Sequence, residues 1–136
     1  MKKIALFLTV MVLATSCALF CACTSDAPIV GTYKLYNVVM TNGTTQNVYL
    51  VGGVDSVVTE NSFVLTVKNN YKWNMSINLP GVDETEDGRW AEKNGGYVLK
   101  EDRDDPDVEL TLNNDVLTFS FNEDGWYMLV TLIKAD

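Results

Sequence analysis

Between residues 71 and 79 the chain alternates with a period of two. Tyr71, Trp73, Met75, Ile77 and Leu79 fall on one face, and Lys72, Asn74, Ser76 and Asn78 on the other. Such alternation sets one face on a core and leaves the other in water, as in an antiparallel strand. Val108, Leu110 and Leu112 oppose Glu109, Thr111 and Asn113 in the same manner. β-Rich runs over 29–40, 47–51, 63–68, 88–93, 97–101 and 116–121 continue the theme. Turn residues separate them: Asn42-Gly43, Gly52-Gly53, Asn69-Asn70, Pro80-Gly81, Asn94-Gly95-Gly96, Asn113-Asn114-Asp115 and 122–125. Asn-Gly supplies the positive φ angles of a tight hairpin, and Pro80 ends its strand because it has no N–H to donate.

The final run, 126–134, is apolar on nearly both sides, as befits a central or barrel-closing strand. From residue 29 onward no segment carries the apolar period of a helix. About nine strands joined by hairpin-length connections form a meander, and closure on itself removes its free edges. The expected fold is all-β, an up-and-down antiparallel meander closing into a small barrel of about eight or nine strands. An immunoglobulin-like sandwich needs long Greek-key crossovers, and the short connections argue against it.

The first residues follow a different pattern. Lys2 and Lys3 precede an uncharged apolar run over 4–14, too short for a membrane span of about 20 residues but suited to a signal-peptide core. It ends in Ala14-Thr15-Ser16-Cys17, which resembles the lipobox of bacterial lipoproteins, where small residues precede a cysteine that carries the lipid. Cys23, after Ala22 and before the polar Thr24-Ser25-Asp26, is the alternative site. The expected organisation is a lipoprotein signal peptide over 1–16, a lipidated tether over 17–28 and a barrel over 29–136. The partner this implies is a lipid bilayer, reached through the acylated cysteine. The expected location is the cell envelope, on the outer membrane.

Charge and composition narrow the chemistry. Two of the ten basic residues lie in the leader, so the rest of the chain sets eight against eighteen acids, a net of −10. That surface argues against nucleic acid and anionic lipid head groups; it suits solubility, a cation or a basic partner. No histidine is present, and no cysteine follows Cys23. Disulfides therefore cannot hold the barrel, and the usual zinc sites and Ser-His or Cys-His catalysis are excluded. No cofactor is expected.

The order and spacing of four segments resemble the small lipocalin-like lipoproteins of Gram-negative bacteria. These are Gly31-Thr32-Tyr33, similar to the opening Gly-x-Trp strand with Tyr33 in the Trp place; the hairpin around 63–73; Gly88-Arg89-Trp90 with the Asn94-Gly95-Gly96-Tyr97 turn; and Leu117-Thr118-Phe119 leading through Asp124-Gly125 to the last strand. The ligand-carrying lipocalins also bear a Thr-Asp-Tyr-like motif and a late arginine stacked on the opening tryptophan, and neither stands in this chain.

Tyr33, Trp73, Trp90, Tyr97 and Trp126 are candidates to line an apolar pocket, since a barrel of this size holds one small ligand. They are equally suited to filling the barrel, with Tyr33 and Trp90 plugging one end. Asp102, Asp104, Asp105 and Asp107 flank Pro106 and offer oxygen ligands for calcium, but they lack the glycine and terminal glutamate of an EF-hand loop, and Arg103 stands among them. A solvated loop is the expectation there, and equally for Asp83, Glu84, Glu86 and Asp87. Glu60, Glu92 and Glu109 are scattered carboxylates with nothing to pair them for acid–base work. These readings point to a non-enzymatic, lipid-anchored barrel binding a small hydrophobic or amphiphilic ligand. The alternative is an interaction or inhibitor module whose acidic surface binds a basic envelope or secreted protein. A cavity of a few hundred Å³ would favour the first, and a filled core the second.

Overall fold

The computed structural model describes residues 26–101 and 106–135; the leader, Cys17, Cys23, Asp102, Asp104 and Asp105 lie outside the described residues. Nine strands follow in order: β1 (Gly31–Thr41), β2 (Gln46–Leu50), β3 (Phe63–Val67), β4 (Lys72–Leu79), β5 (Val82–Lys93), β6 (Gly96–Lys100), β7 (Val108–Asn113), β8 (Val116–Glu123) and β9 (Trp126–Lys134). From β3 to β9 each strand pairs antiparallel with the next, and β1 pairs with both β3 and β9. The result is a closed antiparallel barrel of eight strands. β2 is an extra strand: it folds back on β1, pairing over Asn37–Thr41 where β1 has left β3.

Closure depends on β9. Tyr33 to Thr41 of β1 meet Lys134 to Tyr127 of β9 in register, interrupted between Leu35 and Asn37. The bulge turns Tyr36 outward and changes the inward parity of β1, so that Tyr33 and Leu35 are followed inside by Val38 and Met40. The near-continuous apolar character of β9 has a direct cause. Met128, Val130 and Leu132 fill the interior, while Leu129 and Ile133 face outward beside Val39 and Lys34 of β1.

Hairpin turns adopt the geometry their residues favour. Asn94 and Gly95 have φ of 52° and 80°, and Asp124 and Gly125 have 49° and 80°, values open to Asn, Asp and Gly at little cost. Because the connections alternate ends, the barrel has two distinct mouths. One carries the start of β1 and the turns β3–β4, β5–β6 and β7–β8. The other carries the turns β4–β5 and β8–β9 and the β6–β7 connection.

The core runs from Ile29 to Leu132 and draws on every strand of the closed barrel. Phe63, Phe119 and Phe121 form an aromatic cluster with ring centroids 5.8–6.1 Å apart. Among the described residues this core is one cluster enclosed by the barrel.

One segment departs from expectation. Asp83, Glu84, Glu86 and Asp87 are not in a solvated loop. They form the first half of β5, in register with β4 from Leu79↔Val82 to Lys72↔Arg89. The turn at Pro80-Gly81 occupies only two residues, so β5 begins as soon as β4 ends, and backbone pairing carries the acidic run into the sheet. Val82 and Trp90 are buried on its inward face, which places Glu84, Glu86 and Gly88 on that face too.

Candidate functional site

The two ends of the barrel are built differently. At the end where β1 begins, aromatic side chains close the interior. Tyr33 is fully buried, and its hydroxyl donates to the Ile29 carbonyl at 2.9 Å. Burial, with Asp115 and Tyr97 nearby, pushes its pKa up to about 12. Lys134 from β9 lies over the Tyr33 ring, its Nζ 6.0 Å from the centroid, and donates to the Pro28 carbonyl at 3.3 Å. Trp90 is buried at the same end. Its Nε1 donates to the Lys68 carbonyl at 2.7 Å, and its ring meets Tyr71 at 4.9 Å and Tyr97 at 6.0 Å.

The opposite end is open. A cavity of about 420 Å³ lies there. Trp73, Met75, Leu99 and Phe121 supply its apolar surface; Glu86, Glu101, Glu123, Asp107 and Asp124 supply carboxylates. Trp73 is held as a wall by its own indole, whose Nε1 donates to the carbonyls of Arg89 at 2.9 Å and Lys100 at 3.3 Å. Gly88 makes that approach possible. A Cβ at this position would collide with the Lys100 carbonyl and come within 3.0 Å of the Trp73 Nε1.

Strand parity explains the acids. On β5, Glu86 and Glu84 share the inward face with Trp90; on β8, Glu123 follows Leu117, Phe119 and Phe121. Glu101 stands two residues beyond the buried Leu99 of β6. Three strands thus bring glutamates to one mouth. Burial, hydrogen bonds shared with Glu101 and Glu123, and their negative charge push the Glu86 pKa up from 4.5 to about 8. Asp124 beside Glu84 pushes that carboxyl up as well. Oxygens of Glu84, Glu123 and Asp124 lie within 4.8 Å of one another, the spacing a cation requires.

Of the five aromatic residues singled out by sequence, only Trp73 lines this cavity. Tyr33, Trp90 and Tyr97 belong to the closed end, where Tyr97 also borders a smaller cleft of about 210 Å³. Trp126 packs against the core at the open end, with its Nε1 close to Gly81. Asp107 is at the cavity rim. Glu60 pairs with Lys34 at 3.2 Å and Glu109 with Lys93 at 3.7 Å, while Glu92 lies opposite Tyr97, so the three are not brought together. The sequence reading places Glu86 in a solvated loop rather than in a cavity, and Glu101 and Glu123 are not among its candidates. Counting in steps of two from Trp90, Leu99 and Phe119 would have found all three.

No family model, curated protein or solved structure matches the chain.

Proposed function

We propose that the chain is a non-catalytic, lipid-anchored barrel of the cell envelope that holds a small hydrophobic or amphiphilic molecule. One observation carries the ligand: a cavity of about 420 Å³ at one end of a barrel whose other end is filled. That volume falls in the range of small-molecule sites, about 300–1,000 Å³, and its mixed apolar and polar lining suits an amphiphile. The cation over the opening aromatic residue, Lys134 on Tyr33, favours the lipocalin-like reading, in which a late arginine plays that part.

The anchor fits this arrangement. Residues 26–30 run beside the closed end, where Asp26 contacts Asn69 and Pro28 accepts from Lys134. A tether joining the barrel through Asp26 would meet it at the closed end, and the cavity opens at the other.

Two experiments test the reading. Protein purified from membranes is extracted with organic solvent and the extract analysed by mass spectrometry, alongside thermal melts with added hydrophobes. A bound amphiphile and ligand-dependent stabilisation are expected. If neither is found, and a basic protein instead binds in a salt-sensitive manner, the acidic-surface alternative replaces it. For the anchor, incorporation of a labelled fatty acid is followed in Cys17→Ala, Cys23→Ala and the double variant. One single variant should lose the label, and labelling that survives the double change removes the lipoprotein assignment.

A further inference from the structure

We infer that the polar end of the ligand is cationic: the cavity takes an amine or guanidine carried on an apolar chain or ring. This rests on the proposed ligand cavity and specifies what occupies it.

The described lining of the cavity carries charge of one sign. Among its described lining residues five are acidic and none is a lysine or arginine. The two ion pairs formed among described residues, Lys34–Glu60 and Lys93–Glu109, involve none of these acids. Glu86 also stands on the inward face of β5, between the buried Val82 and Trp90, where an unpaired carboxylate is disfavoured. Crowding by Glu101 and Glu123 makes its ionisation harder still, and the site relieves that crowding by keeping a proton on Glu86. An ammonium group would relieve it better, through charge-assisted hydrogen bonds to several carboxylates at once. An anionic head group would add to the repulsion, and a neutral one would leave it unchanged.

The apolar side of the cavity decides between a bare ion and an organic cation. Trp73, Met75, Leu99 and Phe121 line the same cavity as the acids. A metal ion on the oxygens of Glu84, Glu123 and Asp124 would leave that surface in water. A cation with an apolar body covers it and gains its burial, about 25 cal/mol for each Å² removed from water. Because Glu86 is protonated in the free site below about pH 8, entry of the cation expels a proton.

The test compares decylamine, decanol and decanoate, which share a chain and differ in head-group charge. Titration calorimetry is carried out on the full chain. Decylamine is expected to bind about tenfold or more tighter than decanoate, with decanol between them. At pH 6.5, heats measured in phosphate and in Tris should differ by the ionisation heat of a released proton. Glu86→Gln should abolish that difference, and Glu123→Gln should weaken the amine several-fold while sparing decanol. Decanoate or decanol binding as tightly as the amine overturns the inference but leaves the ligand cavity standing. If calcium binds alone and displaces decylamine, the acids form a metal site and the inference also fails. If none of the three compounds binds, the ligand-cavity reading itself falls.

Discussion

Replacing Glu86 with Gln should stabilise the barrel, and by an amount that grows with pH. The reason is linkage. Glu86 has its pKa raised from 4.5 to about 8, so between these values the folded chain holds a proton that the unfolded chain has released. Folding stability from this group is intact below pH 4.5 and falls as pH rises toward 8. At 1.36 kcal/mol per pH unit the whole interval would correspond to about 5 kcal/mol. Glu86 is only half-buried at an open mouth, and solvent screening reduces this to about 1–2 kcal/mol. For a domain of this size that is roughly 4–8 °C in Tm. Glu101 after β6 and Glu123 on β8 act on Glu86, Asp107 and Asp124 line the same cavity, and Glu84 on the same strand is itself shifted, so the wild-type curve alone is not diagnostic. The difference between wild type and Glu86→Gln is. Thermal melts by circular dichroism from pH 5 to 8.5 should give curves that nearly coincide at pH 5 and separate steadily toward pH 8, with the variant above. Parallel curves, or a variant less stable throughout, would refute the argument.

Other predictions follow from the walls. Gly88→Ala drives a methyl group into the Lys100 carbonyl, a backbone atom that cannot swing away, and should cost about 3 kcal/mol, read as a lower denaturation midpoint. Trp90→Phe puts a smaller aromatic ring in this buried place and leaves the Lys68 carbonyl without its 2.7 Å donor; a loss of about 2–4 kcal/mol in urea unfolding is expected. Tyr33→Phe should cost about 1 kcal/mol through the lost bond to Ile29, and should remove from an ultraviolet titration the phenol that ionises at about pH 12.

The strands that could be read from sequence share one property: a dry inward face against a wet outward face. β4 and β7 alternate cleanly because their inward residues stand in the core, and β9 was recognisable as the closing strand because it is apolar on both sides. The first half of β5 satisfies neither condition. Its outward residues, Asp83, Thr85 and Asp87, are exposed, and its inward residues, Glu84 and Glu86, reach an open mouth where water also has access. Polarity alone then carries no orientation, and a paired strand looks like a loop. What survives is register: a two-residue turn after Leu79 and a buried Trp90 fix which positions point inward, whatever side chains they bear. The same count brings Glu123 inside behind Phe119 and Phe121. The acidic composition that first suggested an outer surface is thus partly an interior one. Three glutamates turned toward a common cavity repel one another at a cost to the fold, and a proton or a cation held among them removes that cost.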